Sequence, residues 1–435
     1  MRRGCRVGFF GLGESNIALL SCLPLENSTI TLRSDGKINT EKVPSGIKIE
    51  KIYEGGSAYE KINEDILFFS PSVRRDRAEL AEARARGVIF SSDAELFFER
   101  NTKPIFAVTG SDGKSTTATL IHLLLEACGK KSRLIGNIGE PMARHLDSDA
   151  DCFVCELSSF MLTYACPRAR RGCITNITPN HLDWHRDFAE YKKTKISLVE
   201  RSGEFVISEE NSEISGAFAI VSDRLRYSEL KKKYKAELYL TLENGRICRN
   251  GEGLIDVENI ALKESYNIKN LMTAIAMTDG YANKEAIGRV AADFKGLPHR
   301  CERFCVRGGV EYINSSIDST PARTVQTLDS LKREVVIILG GRSKGLNYQE
   351  LAPAVKKYAK RVVIVGENAE EIYTAICKVT KAEVMPDFET AVLRGKELAR
   401  DVGTLLLSPA STSYDAFKNY AERGDKFKEI IQKSI

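Results

Sequence analysis

The chain has 435 residues, of which 43% are hydrophobic and 28% charged, and its net charge is +5. This length exceeds one ordinary hydrophobic core and indicates about three domains. The composition excludes a membrane-spanning protein, because no apolar run reaches the roughly 18 residues that a span needs. The charge is mild, and the densest basic run, 231–235, is better interpreted as a solvated surface than as a nucleic-acid patch.

The first 93 residues alternate between strand-like and helix-like segments. Such alternation is typical of a parallel α/β sheet. The predicted segments are strands at 6–10, 28–32, 66–70 and 88–91, and helices at 16–23 and 76–86.

The first strand leads into a glycine turn, Gly11-Leu12-Gly13, which half-matches a dinucleotide-binding fingerprint. Asn16 stands where the third glycine belongs, and Arg33 stands where an acidic residue would bind the ribose. Both departures argue against an NAD-dependent oxidoreductase. A diphosphate-binding turn of another kind and a purely structural turn remain about equally open.

Residues 94–296 are predicted to form a central domain, and its most informative segment is 109–116. A strand leads into this segment and a helical pattern follows it, which is the order of a phosphate-binding loop. Glycines let backbone N–H groups face phosphate oxygens, while a lysine and a hydroxyl suit the phosphate charge and Mg²⁺. Val108 stands where the usual pattern has its first glycine, so the loop is a shortened variant. The predicted nucleotide-binding residues are Gly110, Ser111, Asp112, Gly113, Lys114, Ser115 and Thr116.

Two further polar motifs follow predicted strands of the central domain. Glu156 directly follows the apolar run 152–155 and can hold a cation beside the phosphates. His181 and His185 flank Asp183 after the strand predicted at 173–177, and such a cluster favours a site. Later in the domain, Asn244-Gly245 between alternating segments predicts a β-hairpin.

The remaining residues, 297–435, are predicted to form another parallel α/β domain. Hydroxyls, lysine and glycine follow two of its strands, at 340–345 and 408–415, and suit a small anionic substrate or ordinary turns about equally. The predicted segments are strands at 335–339, 361–365 and 404–407, and helices at 348–358, 369–377 and 389–400.

The eleven cysteines are scattered along the chain. Cys152 and Cys155 form one CxxC in a strand-like run, and no second CxxC completes a zinc site. Buried thiols in a reducing compartment are the favoured interpretation. The apolar segment 7–12 is short and ends in a turn, so we expect no signal peptide and a cytoplasmic location.

Taken together, these motifs resemble the Mur ligase family, the ATP-dependent enzymes that form the amide bonds of bacterial cell-wall precursors. The resemblance spans essentially the whole chain, and the segment 407–427 makes it strongest to the D-glutamate-adding branch. It implies a three-domain α/β fold with Rossmann-like terminal domains and a central P-loop ATPase-like domain that contains a parallel sheet and a hairpin. It also implies that 1–93 binds the UDP substrate, 94–296 ATP, and 297–435 the amino acid.

The implied reaction joins D-glutamate to UDP-N-acetylmuramoyl-L-alanine through an acyl phosphate, with release of ADP. Cations are needed because the substrate carboxylate meets the anionic γ-phosphate in a partly dry site. The resemblance implies catalytic roles for Lys114, Glu156, His181 and Lys195, and two Mg²⁺ sites. The implied metal ligands are Ser115, Glu156, His181 and Lys195, the last as a carbamate.

The resemblance implies a monomer that acts on small molecules, with no nucleic-acid partner. It adds Asn267, Asn270 and Arg300 to the ATP contacts. The implied substrate contacts are Gly13, Ser15, Ser34, Asn137, Ser159, His185, Ser319, Lys344, Ser413 and Tyr420.

Several positions depart from the family pattern: Asn180, Met161, Tyr266, Ser315, Ile317 and Arg33. The alternatives are another Mur ligase or a folylpolyglutamate-synthase-like ligase, a nucleotide-binding protein without catalysis, and the disfavoured NAD-dependent oxidoreductase.

Overall fold

The computed structural model describes residues 4–182, 184–211, 213–342 and 346–433. These residues form three β-sheets, one after another along the chain. Two compact units divide the chain: residues 1–294 include the first two sheets, and residues 295–435 include the third. The predicted boundary at residue 93 falls between the first two sheets, and the division into three functional domains stays a prediction.

The first sheet is parallel throughout, as the alternating pattern predicts. Phe9 and Phe10 belong to separate apolar clusters, because successive side chains of a strand point to opposite faces. Helices therefore cover both faces. The elements are β1 (Arg6–Phe10), α1 (Glu14–Cys22), β2 (Thr29–Ser34), β3 (Ile49–Glu54), β4 (Ile66–Phe69), α2 (Ala78–Ala85), β5 (Ile89–Ser91) and α3 (Asp93–Arg100). The strand order is β3-β2-β1-β4-β5.

The second sheet holds the phosphate loop. Its elements are β6 (Ile105–Thr109), α4 (Lys114–Ala127), β7 (Ser132–Gly136), β8 (Cys152–Glu156), α5 (Ser159–Tyr164), β9 (Ala169–Ile174), α6 (Phe188–Glu200), β10 (Ser202–Ser208), β11 (Ala219–Ser222), α7 (Tyr227–Lys233), β12 (Leu238–Glu243), β13 (Arg246–Arg249), β14 (Glu252–Asp256), α8 (Ser265–Met277) and α9 (Lys284–Asp293). The strand order is β14-β13-β12-β11-β10-β9-β6-β8-β7.

The strands from β12 to β14 are antiparallel, and the rest of the second sheet is parallel. The predicted hairpin at Asn244-Gly245 is confirmed: Glu243 pairs with Arg246, and both turn residues have positive φ. The strand predicted at 173–177 instead ends at Ile174, because the next residue, Thr175, bonds to the phosphate loop.

The third sheet is parallel except for its first strand, which pairs antiparallel with the next. The strand Val335–Leu339 in the interior of this sheet is fully buried, as its unbroken aliphatic sequence predicts. The elements are β15 (Glu302–Arg307), β16 (Val310–Asn314), α10 (Pro321–Leu331), β17 (Val335–Leu339), α11 (Ala352–Tyr358), β18 (Ala359–Ile364), α12 (Ala369–Ile376), β19 (Ala382–Val384), α13 (Phe388–Ala399), β20 (Thr404–Leu407) and α14 (Tyr420–Lys433). The strand order is β15-β16-β20-β17-β18-β19.

Candidate active site

The turn between β6 and α4 has the backbone of a phosphate-binding loop. Gly110 and Gly113 have φ angles of 145° and 77°, which side-chain-bearing residues rarely adopt. A Cβ on Gly110 would lie 1.9 Å from Thr175 Oγ1, and one on Gly113 would lie 2.4 Å from Asn270 Oδ1. Both positions therefore require glycine, for space as well as for backbone conformation.

The segment after β9 holds this loop in place. The Ser111 amide donates to the Asn176 carbonyl at 2.8 Å, and the Asp112 amide donates to Asn176 Oδ1 at 2.9 Å. Ser111 Oγ lies 2.8 Å from the hydroxyl of Tyr191 on α6. Lys114 Nζ donates to the Ser111 carbonyl at 2.8 Å, so the lysine lies over the loop that it follows.

Three of the other predicted loop residues differ in exposure. Ser115 is buried in the first turn of α4, Thr116 is half-buried beside it, and Asp112 is exposed at the tip of the loop. A buried hydroxyl at the start of this helix suits a ligand to a phosphate-bound cation.

Glu156 ends β8, the strand that pairs with β6. Its side chain is fully buried, and Asn137 Nδ2 donates to Oε1 at 2.6 Å. The other oxygen, Oε2, is also buried and has no hydrogen-bond partner among the described residues. Because an unpartnered buried carboxylate oxygen is costly, this atom fits a cation ligand.

The donor set also fits Mg²⁺ bound together with a nucleotide. Within the described ranges, no cluster of three or more His, Cys, Asp or Glu side chains could hold a metal ion. Magnesium is usually held by one or two carboxylates together with substrate phosphates, rather than by a cage of protein ligands. Glu156 beside the phosphate loop matches that arrangement.

Lys195, on α6, is 2% exposed, and its Nζ donates to the Gly110 carbonyl at 2.7 Å. Burial, helped by the charge of Lys114, lowers the pKa of Lys195 to about 6, although Glu156 and Asp112 act in the opposite direction. The amine is therefore largely neutral at pH 7. A neutral amine is the form that reacts with CO₂, so the environment suits a carbamate.

The two histidines of the motif differ in environment. His181 has a positive φ of 54° and is exposed, and its ring centroid lies 4.9 Å from that of Phe160. His185 is buried, and neither of its ring nitrogens has a hydrogen-bond partner among the described residues. Burial lowers the pKa of His185. Asp183, between them, lies outside the described residues.

The helix α8 places one of its two predicted ATP contacts at the loop. Asn270 is buried and accepts a hydrogen bond from Thr117 Oγ1 at 3.3 Å. Asn267, one turn earlier, donates to Glu264 Oε2 at 3.1 Å. Ser159 is buried at the start of α5, three residues after Glu156.

A pocket opens at the carboxyl ends of the strands of the first sheet. Gly13 and Ser34 line it, whereas the Ser15 side chain hydrogen-bonds to the buried carboxylate of Asp93. The lining residues are Phe10, Gly11, Leu12, Gly13, Ser34, Asp35, Ser70, Ser72, Val73, Arg74, Asp76, Arg77 and Trp184.

The two departures from the dinucleotide fingerprint have structural roles. Asn16 Nδ2 donates to the carbonyls of Phe10, Gly11 and Phe68, so its amide ties the ends of β1 and β4 together. Arg33 is buried and pairs with Glu64 at 2.7 Å. Its guanidinium stabilises the interior of this sheet and does not line the pocket.

Sequence reasoning missed Arg74 and Trp184 as pocket residues. Trp184 is the only tryptophan in the chain, and it lies between the two histidines of the motif. A single tryptophan between the two histidines of a motif was the sequence signal that could have identified it as a site residue. Arg74 gave no comparable signal, since it is one of three arginines in the charged run 74–77.

The predicted site residues between 295 and 435 lie in the turn before β15 and in the segments after β16 and β20. Arg300 is exposed, and Ser319 is half-buried. Ser413 is buried, while Tyr420, at the start of α14, is 43% exposed. Lys344 lies outside the described residues.

The third sheet also buries an arginine that was not predicted as a site residue. Arg423 Nε donates to Ser316 Oγ at 3.0 Å, and its NH2 group donates to the carbonyls of Ser316 and Ser411 at 2.9 and 3.0 Å. Burial lowers the pKa of Arg423 to about 10. This side chain links α14 to the carboxyl ends of β16 and β20.

Comparisons with known sequences identify relatives of the whole chain. The Mur ligase middle domain matches residues 108–278, and the Mur ligase glutamate ligase domain matches residues 299–411. A UDP-N-acetylmuramoylalanine–D-glutamate ligase of Ruminiclostridium cellulolyticum is 33% identical, over 98% of this chain and 96% of the relative. A ligase of the same name from Clostridium botulinum strain 657 is 32% identical over the same shares.

Solved structures support the fold. The UDP-N-acetylmuramate–alanine ligase of Thermotoga maritima has a TM-score of 0.60 at 18% identity, over 99% of this chain and all of that one. The folylpolyglutamate synthase of the same organism has a TM-score of 0.52 at 11% identity, over 79% of this chain and 93% of that one. Among the described helices, none combines the length and hydrophobicity required to cross a bilayer.

Proposed function

The chain belongs to the Mur ligase family, and we propose that it joins D-glutamate to UDP-N-acetylmuramoyl-L-alanine with conversion of ATP to ADP and phosphate. Relatives with that name cover nearly the whole chain at 31–33% identity. The observation that carries the catalytic part is the buried Glu156 Oε2, unpartnered among the described residues, beside a glycine loop with a lysine. This combination suits ATP with Mg²⁺.

Bound ATP supplies the phosphoryl group that activates the substrate carboxylate as an acyl phosphate, and Mg²⁺ reduces the repulsion between the two anions. Lys114 would neutralise phosphate charge. Ser115 and Glu156 would hold one Mg²⁺, and His181 would help to hold a second. Asn267, Asn270 and Arg300 would contact the nucleotide.

We propose that Lys195 is carbamylated. Its burial, its lowered pKa and its hydrogen bond to the Gly110 carbonyl support this assignment. The modification would change a buried group from a base into an anion. That anion would complete the ligands of the second Mg²⁺ and cancel part of its charge.

The pocket of the first sheet would bind the UDP portion, and the third sheet would bind D-glutamate. Gly13 and Ser34 line the pocket, and its arginines Arg74 and Arg77 suit a diphosphate. Ser15 would act through its bond to Asp93. Ser319, Lys344, Ser413 and Tyr420 would meet the two carboxylates of D-glutamate, and Asn137, Ser159 and His185 would face the reacting end of the nucleotide sugar.

At the level of the whole protein, we propose three functional domains, at 1–93, 94–296 and 297–435. The enzyme would act as a monomer in the cytoplasm. Positioning the amine against the acyl phosphate makes the attack effectively unimolecular, which is worth several kcal/mol at typical effective molarities.

The test is phosphate release with ATP, Mg²⁺, UDP-N-acetylmuramoyl-L-alanine and a panel of amino acids. We expect release with D-glutamate only. Release with L-alanine or a diamino acid would move the chain to another branch of the family. A hydride signal with NAD and no phosphate release would contradict the proposal.

The control for this assay is Lys114→Ala. Loss of the phosphate-facing charge should abolish phosphate release, while circular dichroism and the unfolding midpoint stay close to those of the wild type. Turnover that survives in this variant would exclude the phosphate role of Lys114.

A further inference from the structure

Trp184 belongs both to the segment 181–185, called here the His181 segment, and to the lining of the pocket of the first sheet. Its backbone amide donates to the His181 carbonyl at 3.1 Å, and its ring lies 4.6 Å from that of Phe160, which also contacts His181. Trp184 also lines the pocket together with Gly13 and Ser34. The side chain of Trp184 in the His181 segment therefore forms part of the candidate UDP pocket.

The segment after β4 holds Trp184 from the opposite side. The indole Nε1 donates to the Ser72 carbonyl at 2.7 Å. The Arg74 guanidinium lies 4.8 Å from the centre of the indole ring and donates to the Trp184 carbonyl. Arg74 thus fixes both the ring and the backbone of Trp184.

Arg74 is itself held by carboxylates on both sides. Its Nε donates to Asp76 Oδ1 at 2.8 Å, and its NH2 group lies 3.4 Å from Glu190 Oε1. Arg186, two residues after Trp184, reaches the same Asp76 at 3.3 Å. Partial burial and the planar guanidinium fork make such a network stronger than isolated surface ion pairs.

A second contact links the same segment to the other side of the candidate metal site. The Arg75 amide donates to the Tyr164 hydroxyl at 2.8 Å, and its guanidinium lies 4.4 Å from the centre of that ring. Tyr164 ends α5, the helix that begins three residues after Glu156. The segment Ser70–Arg77 therefore contacts both α5, the helix that follows Glu156 in the chain, and the turn that bears His181.

We propose that Arg74 is a positioning residue that couples occupancy of the UDP pocket to binding of magnesium-ATP at the phosphate loop. This inference rests on the proposed function. A ligand that fixes the segment Ser70–Arg77 also fixes Trp184, and with it the turn that bears His181. Coupling between two sites is reciprocal, so each ligand raises the affinity of the protein for the other by the same factor.

The experiment is isothermal titration of the full chain with UDP-N-acetylmuramoyl-L-alanine. Each titration is run without and with Mg²⁺ and a non-hydrolysable ATP analogue. We expect the affinity of the wild type for the UDP ligand to rise about five-fold or more when the analogue is bound, which is the lower end of typical coupling factors. In Arg74→Gln this ratio should approach one.

Arg77→Gln is the matched control. Arg77 lines the same pocket, but its partners are Asp35, at 3.8 Å, and the ring of Tyr59, at 4.7 Å, both in segments that connect strands of the first sheet. This variant should bind the UDP ligand more weakly and keep the wild-type ratio. Should Arg74→Gln fail to fold, Arg74→Lys keeps the charge but loses the fork, and its ratio should fall between one and the wild-type value.

A ratio of one in the wild type, or a wild-type ratio in the folded Arg74 variant, would overturn the coupling. The proposed function fails in a different way: the wild type would then bind no UDP ligand and form no amide with D-glutamate. Amide formation by a wild type whose ratio is one would refute the coupling and leave the proposed function standing.

Discussion

At the scale of single residues, the candidate site contains buried polar groups in surroundings that disfavour their usual charged or hydrogen-bonded state. Lys195 is buried beside Lys114, and its Nζ meets a backbone carbonyl of the phosphate loop. Glu156 keeps one buried oxygen that is unpartnered among the described residues. Such groups cost folding free energy, so they indicate a function that repays the cost.

The state of Lys195 can be tested directly. We expect the protein in ¹³C-bicarbonate to show a carbamate NMR signal that Lys195→Ala lacks. Because the amine must be neutral to react and its pKa is about 6, the signal should be present at pH 8 and decline as the pH falls through 6. Lys195→Ala should release phosphate poorly and recover part of its activity with added short carboxylates.

Lys192→Ala is the matched control, since Lys192 lies on the same helix and forms an ion pair with Glu213 near the surface. It should keep both the signal and the activity. A carbamate signal that persists in Lys195→Ala, or full activity of that variant without carboxylates, would rule out the carbamate.

At the scale of elements, the turn between β6 and α4 requires glycine for two separable reasons. Gly113 has a φ of 77° and no room for a Cβ beside Asn270. Gly129, just beyond the other end of α4, has nearly the same φ of 76° and open space around it. A comparison of Gly113 with Gly129, which flank the same helix, separates the effect of backbone strain from the effect of a steric clash.

We predict that Gly113→Ala weakens binding of an ATP analogue at least ten-fold, because its Cβ displaces Asn270 and the loop. Gly129→Ala should lower the free energy of unfolding by about 1 kcal/mol, the usual cost of a left-handed alanine, and leave the affinity unchanged. Titration calorimetry and urea unfolding measure the two effects. Equal affinities of the two variants would show that the clash is irrelevant.

Many strands of the fold were predictable, because a buried strand appears in the sequence as an unbroken run of apolar residues. The predictions at Arg6–Phe10, Val335–Leu339 and Thr404–Leu407 match the structure in both bounds. The strand Ile49–Glu54 was not predicted, because it lies at an edge of its sheet with charged residues between its apolar ones. Its pairing with β2 decides its structure, and no local pattern reports that pairing.

The candidate site was predictable to the extent that its chemistry lies in short motifs. The glycine loop, Glu156 and the histidine motif follow strands that prove to be neighbours, β6, β8 and β9. Arg74 could not be predicted, because its role comes from Trp184, 110 residues later in the chain. Contacts of that separation are set by the topology and leave no local trace in the sequence.

At the scale of the whole chain, the same local arrangement recurs in each of the three sheets. Polar turns follow the carboxyl ends of β1 and β4 in the first sheet, β6 and β8 in the second, and β16 and β20 in the third. Ligands of open α/β sheets bind at the carboxyl ends of the strands. In the third sheet, the buried Arg423 holds those turns through carbonyl and hydroxyl oxygens.

We predict that Arg423→Ala lowers the stability of the third sheet by about 3 kcal/mol, because it leaves several buried oxygens without donors. Hydrogen exchange of the β16 and β17 amides measures the change. Lys433→Ala, on the same helix but exposed, should change it by less than about 0.5 kcal/mol. Equal protection in the two variants would show that Arg423 does not stabilise the sheet.

The strand order of the second sheet has a consequence for biosynthesis. The phosphate loop leaves the ribosome long before the residues that enclose it, since β6 must pair with both β8 and β9, and Asn270 arrives on α8. About 160 further residues separate the loop from Asn270, and their translation takes roughly eight to thirty seconds at typical synthesis rates. Until α8 is translated, the apolar cluster that it shares with β6 and α4 stays incomplete, and a molecular chaperone that shields these residues would raise the yield of enzyme.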